Sequence, residues 1–220
     1  MAYLDFVSVV HRATRRDYLG RVNETPKAEA ARIARRFDRD YWDGDRRHGY
    51  GGYRYDGRWR AVADRLRDHY GLKAGQRVLD VGCGKAFLLH DLVESVPGLE
   101  VFGIDISAYG LAAALPSVRD RLALASAAAL PFPDRSFDLV ISINTLHNLR
   151  CFDLDRALRE IERVGRGGKY LCVESYRNEE EKVNLLYWQL TCESFYAPEE
   201  WHWWFERCGY SGDHSFIYFE

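Results

Sequence analysis

Val78-Leu79-Asp80-Val81-Gly82-Cys83-Gly84-Lys85-Ala86-Phe87-Leu88-Leu89-His90-Asp91-Leu92-Val93 is the stretch that decides how this chain folds. A short apolar run ends in an acid and two glycines, and an apolar-rich segment with helical character follows. This is the pattern of a strand, a tight glycine turn and a helix. Glycine has no Cβ and tolerates positive φ, so a ligand can approach the backbone of such a turn closely. A Gly-x-Gly turn by itself fits any nucleotide-like ligand, and the residues downstream narrow the choice.

Beyond it, strand and helix signals alternate. Strands are predicted at 76–81, 100–105, 121–125, 137–143 and 168–174, with helices at about 85–95, 107–115 and 153–164. Runs such as Phe137-Asp138-Leu139-Val140-Ile141-Ser142-Ile143 are nearly continuous in apolar residues, as parallel strands covered on both faces are. Repeated βα units imply an α/β fold with a doubly wound, mainly parallel sheet. Upstream, Thr25-Pro26 reads as the start of a basic helix reaching about Arg39. Residues 41–55 read as a glycine-rich loop dense in aromatics and arginines, and Trp59, Val62, Ala63, Leu66 and Tyr70 as one face of a helix stopped at Gly71. After 174 come a polar insertion, a helix near 198–208 and a last strand at 215–219. Residues 1–60 are therefore expected to form an N-terminal helical and aromatic cap, and 61–220 the ligand-binding domain. One strand in place of two at the C-terminal side implies a shortened sheet edge and leaves room for a homodimer.

The 220 residues carry a net charge of −2, which gives no global footprint for nucleic acid. Charge is uneven: residues 1–60 hold 14 Lys/Arg against 9 Asp/Glu, and residues 174–220 hold 3 against 10. The plain reading is two solvated faces, and the sharper one is a basic segment that meets an anionic ligand. The five cysteines form no CxxC pair. That speaks against a disulfide framework and a zinc site, and fits a reducing cytoplasm. No metal site and no membrane partner are expected.

In an open parallel sheet, ligands bind beyond the C-terminal strand ends. There the first strand delivers Asp80, Gly82, Cys83 and Gly84. The second ends at Asp105, whose carboxylate can accept from both hydroxyls of a ribose. The third ends at Ser126-Ala127, the fourth at Asn144 and the fifth at Glu174. His147 follows the fourth strand, and a histidine near neutrality is a general-base candidate, with Glu174 as the second. Either His147 serves as that base or it is a turn residue. Lys85 either points to solvent or meets an anionic group.

The runs LDVGCGKAFLL (79–89), VFGIDIS (101–107), LPFPDRSFDLVISINTLHNL (130–149) and ALREIERVGRGGKYLCVES (157–175) resemble the class I S-adenosylmethionine-dependent methyltransferases of the small-molecule branch. The resemblance implies a Rossmann-like methyltransferase fold and S-adenosyl-L-methionine as cofactor. It implies that Asp80 orders the glycine loop or reaches the methionine end, that Gly82 and Gly84 admit that end with Cys83 also at the cofactor, and that Asp105 holds the ribose. Ile106 would pack on the adenine, with Ser126 and Ala127 near its amino group and the Asn144 backbone beside the sulfonium. Ser126 stands where the family often has an acid, and Lys85 where it commonly has Thr or Ser. Arg58, one turn into the helix before the first strand, is the candidate for the cofactor carboxylate. Tyr50, Tyr53, Lys85, Tyr176 and Arg177 are the substrate candidates. The expected activity is O- or N-methylation of a polar small molecule. Arg46, Arg47 and His48 fit an anionic acceptor, such as a phosphorylated or carboxylated sugar derivative or secondary metabolite. The alternative is a methyltransferase-like protein that binds cofactor or a partner without turnover.

Overall fold

The computed structural model describes residues 1–11 and 16–220. Six strands form one parallel sheet in the order β3-β2-β1-β4-β5-β6. They are β1 (Arg77–Val81), β2 (Glu100–Asp105), β3 (Leu122–Leu124), β4 (Phe137–Ile143), β5 (Gly165–Glu174) and β6 (Asp213–Ile217). The strand order reverses between β1 and β4, and that reversal opens the crevice that holds the site.

Successive residues of one strand face opposite layers. Val78, Leu139, Ile141, Tyr170 and Cys172 enter one core, with Val62 and Leu66 of the helix Arg60–Tyr70 and Leu88, Leu89 and Leu92 of the helix Phe87–Ser95. Leu79, Val81, Val140, Leu171 and Val173 enter the other, against the helices Cys151–Val164 and Pro198–Cys208. The first of these two turns Leu154, Ala157, Leu158, Ile161 and Val164 inward. Each fully buried leucine or isoleucine there contributes about 1.5–3 kcal/mol. Trp201, Phe205 and Cys208 are buried from the second, while Trp203 stands out in solvent.

Asp138 belongs to the frame. Its carboxylate accepts the Arg77 amide at 2.8 Å and pairs with Arg166 at 2.8 Å, which pins the start of β4 to those of β1 and β5. Arg166 and the Arg77 amide hold it below the ordinary carboxylate range.

The N-terminal sixty residues are more broken than expected. The helix after Pro26 covers Lys27–Ala34 and stops before Phe37, whose φ is +50°. A one-turn helix, Arg39–Trp42, follows, capped by Asp38 accepting from the Asp40 amide, and Arg46–His48 makes a further tight turn. The helix expected at 107–115 ends at Ala112, and Pro116 opens a separate turn. The polar insertion contains a helix, Glu179–Trp188. Phe6 and Val7 pack in the same core as Tyr170 and Phe219. The outer edge of β6 takes a bridge from Tyr3, with the Leu4 amide donating to the His214 carbonyl at 2.8 Å. Among the described residues, no helix is long and apolar enough to cross a membrane.

Candidate functional site

The glycine turn lies between the ends of β1 and β2. The Gly82 and Cys83 amides both donate to the Ile104 carbonyl, at 2.8 and 3.0 Å. Gly82 has φ +85°, and a Cβ there would sit 2.1 Å from Thr145 Oγ1. Gly84 has φ +56°, and its Cβ would sit 2.6 Å from Trp42 Cη2. Both positions thus demand glycine on two counts, conformation and space. Asp105 fastens the turn, accepting the Gly84 amide at 2.8 Å and the Ser107 amide at 2.7 Å.

Asp80, Gly82, Cys83, Gly84, Asp105, Ile106, Ser126, Ala127 and Asn144 line one cleft. Asp80 is 5% exposed and has no ion-pair partner among the described residues. Burial, with the Asp105 charge beside it, pushes its carboxyl up to about 8. Two carboxylates facing one cavity in this way favour a cationic ligand. The side-chain oxygens Oδ1 of Asn144 and Asn148 are buried without a hydrogen-bond partner, and both residues line the cleft. These are acceptor groups that call for donors. S-adenosylmethionine offers ammonium, ribose hydroxyl and adenine amine donors and a cationic sulfonium, so its donors and positive charge fit the acceptors and carboxylates of the cleft.

The cap supplies an aromatic roof. Trp42 is buried, stacks on Tyr50 at 5.3 Å with planes 2° apart, and donates from Nε1 to Ser107 Oγ at 2.8 Å. Tyr50 and Tyr53 follow at 4.6 Å, and Trp59 Nε1 donates to the Tyr53 hydroxyl at 2.6 Å. Tyr41, Tyr50, Tyr53, Trp59 and Asn144 also line a second cavity, so the two spaces share a wall.

The second cavity carries Arg21, Arg46, Arg54, Arg58, Trp188, Gln189 and Glu174. Glu174 is 4% exposed, and burial pushes its carboxyl up to about 8. Its Oε1 accepts from Gln189 Nε2, and its Oε2 lies 3.3 Å from His147 Nε2. The Glu174 amide donates to His147 Nδ1 at 3.3 Å.

Several expected site residues sit elsewhere. His147 is 2% exposed and lines neither cavity, because it lies behind Glu174. Lys85 is not offered to a substrate. It is buried, and its ammonium donates to Asp43 Oδ1 and Oδ2 and to the Tyr53 carbonyl at 2.7–2.8 Å, which ties the glycine turn to the roof. Arg58 pairs with Asp56 and borders the second cavity, not the cofactor cleft. Arg177 is held by Glu181 and Glu220, and neither it nor Tyr176 lines either cavity. Arg47 pairs with Asp45 on the surface, and His48 lines neither cavity. Trp42, Arg21 and Trp188 were not foreseen. Trp42 lay within the aromatic loop, where sequence gave it no mark of its own.

A parallel sheet of this order, with a glycine turn after β1 and an acid ending β2 in one cleft, is the arrangement that class I S-adenosylmethionine-dependent methyltransferase domains share with dinucleotide-binding ones. Residues 79–173 match the model of the methyltransferase domain, which singles out the first of these. A demethylmenaquinone methyltransferase of Roseiflexus sp. is 34% identical over 116 residues, covering 51% of this chain and 48% of the relative. The demethylmenaquinone methyltransferase of Geobacillus kaustophilus is 33% identical over 157 residues, covering 68% and 65%. The chain spans about half the length of most of these curated relatives, as the Roseiflexus match shows at 48%. The YcgJ protein of Bacillus subtilis shares the fold, with a TM-score of 0.56 at 24% identity over 66% of each chain.

Proposed function

We propose that this protein transfers a methyl group from S-adenosylmethionine to an oxygen or nitrogen of a polar small molecule held in the second cavity. The observation that carries the reading is the shared wall: Asn144 borders both spaces, and Glu174 stands in the acceptor space beside it. Bound S-adenosylmethionine supplies an activated methyl group on a sulfonium, so the protein's work is alignment, exclusion of water and removal of a proton.

Asp80 and Asp105 balance the positive charge of the cofactor. The Trp42–Tyr50–Tyr53 roof keeps water from the reacting atoms. Glu174 Oε2 accepts the proton of the attacking hydroxyl or ammonium group. A base whose pKa lies near the working pH is the most effective one, and burial brings Glu174 into that range. His147 packs behind the carboxylate, 3.3 Å from Oε2, and leaves that oxygen without a hydrogen-bond partner. Several curated relatives are named for demethylmenaquinone. The arginines of the second cavity support a polar acceptor here instead.

The test is formation of S-adenosylhomocysteine from S-adenosylmethionine across a panel of hydroxylated and aminated metabolites. Glu174→Gln is expected to lower kcat by about 10²–10⁴ with cofactor affinity kept. Tight cofactor binding without turnover on any acceptor would favour a non-catalytic binding protein.

A further inference from the structure

The second cavity has an end that methyl transfer alone does not explain. Arg21 and Arg46 gather on the single indole of Trp188, with guanidinium carbons 4.8 and 5.3 Å from the ring centre, and Arg16 lies 5.6 Å from it. Three cations around one ring repel one another. No carboxylate among the described residues lies within ion-pair distance of Arg21 or Arg46. Their hydrogen bonds run instead to carbonyls: Arg21 Nε to Trp188 at 2.9 Å, Arg21 Nη1 to Arg46 at 3.0 Å, and Arg46 Nη1 to Gly49 at 2.6 Å. A guanidinium has five N–H donors, so most of theirs are not used by these bonds. Burial and the Arg46 charge hold Arg21 down at about 10, the mark of a cation short of a counter-ion.

We propose that Arg21 and Arg46, stacked on Trp188, form an oxyanion subsite that holds a carboxylate or phosphate of the acceptor while its reacting atom faces Glu174. The inference rests on the methyltransferase reading and adds the acceptor's chemical class. The planar fork of a guanidinium matches both oxyanions, and an indole face keeps each fork oriented. Glu174 lines the same cavity, which measures about 340 Å³ and so suits a small metabolite with an anionic end and a hydroxyl or amine. The polarity of the cavity sets the acceptor's direction. The arginines draw the anionic end to themselves, which leaves the proton-bearing atom at the Glu174 carboxylate.

The test is titration of the full chain with inorganic phosphate and, separately, with acetate, at constant ionic strength in chloride, followed by tryptophan fluorescence and thermal shift. Saturable phosphate binding is expected, weakened about tenfold in Arg46→Gln and in Arg21→Gln, and unchanged in Arg47→Gln. Acetate competing as well as phosphate assigns a carboxylate acceptor, and phosphate binding alone assigns a phosphoryl group. Arg46 is exposed, so its variant keeps the test valid should Arg21→Gln fail to fold. Absence of saturable binding, or binding undiminished in Arg46→Gln, overturns the subsite. Calorimetry with S-adenosylmethionine on the same samples separates the two ideas: cofactor binding without oxyanion binding sinks only the subsite, and oxyanion binding without cofactor binding sinks only the methyltransferase reading.

Discussion

His147 Nε2 stands 3.3 Å from Glu174 Oε2, while His147 Nδ1 receives the Glu174 amide. The amide makes Nδ1 an acceptor, so the ring proton sits on Nε2, yet Oε2 has no hydrogen-bond partner and the ring only packs against it. Burial drives the imidazole down to about 3 and the carboxyl up to about 8. At neutral pH the histidine is therefore uncharged, and the titrating member of the pair is the glutamate. Turnover should rise with pH along a single limb near 8, as Glu174 loses its proton. His147→Ala removes a ring that keeps water from the carboxylate. It should move that limb to lower pH while leaving cofactor affinity within about twofold. A pH–rate profile unchanged by His147→Ala would leave the histidine as packing alone.

Asp80 gives the cofactor its own pH dependence. Its carboxyl lies near 8 in the free protein, and a cation bound beside it favours ionisation. Below 8, binding of S-adenosylmethionine should therefore release a proton, and affinity should strengthen as pH rises toward 8. Calorimetry in buffers of different ionisation enthalpy measures that release directly. Asp80→Asn should abolish the buffer dependence, and an unchanged dependence would take Asp80 out of the site.

Lys85→Met should loosen the roof without touching the cleft wall. The three hydrogen bonds to Asp43 and Tyr53 disappear, and two carboxylate oxygens lose their counter-charge. Cofactor affinity should fall about tenfold, since a charge-assisted contact of this kind is worth about 1.5–3 kcal/mol. Amide exchange over residues 41–55 should quicken in parallel. If exchange stays slow there, Lys85 is not the tie.

Asp138→Asn probes the frame, far from chemistry. The folded state holds this carboxyl below its unfolded value, so its contribution is present above the unfolded pKa and fades as pH falls through the folded one. The substitution should cost about 1–3 kcal/mol at pH 7, read by urea denaturation, and less at pH 3. Equal losses at both pH values would mean that packing, not charge, is what the carboxylate provides.

The cofactor cleft was legible in sequence because its parts are local. Asp80, Gly82, Gly84, Asp105 and Asn144 each sit at the end of a strand whose apolar run is readable, and parallel order brings strand ends together without further information. The fate of Lys85 was not local, since its partner Asp43 lies 42 positions upstream. The same holds for Arg21 and Trp188, joined across 167 positions. The helix that carries Trp188 escaped detection for a different reason. It buries only Glu181 and Leu185, so its apolar residues trace no single stripe. His147 misled because a histidine after a strand end looks the same whether its ring faces a cavity or the back of another side chain.

The bridge from residues 2–4 to β6 bears on the order in which the molecule assembles. The Ala2 amide meets Asp213 Oδ1 across 211 positions of chain. Closing so long a loop costs entropy, and separations of this kind slow folding. The β6 edge accordingly has no pairing partner from residues 2–4 until the sheet beneath it stands. During refolding the amides of Leu4 and His214 should gain protection from exchange after those of β1 and β4. Until then the outermost strand is the place where a folding chain is open to pairing with another copy of itself.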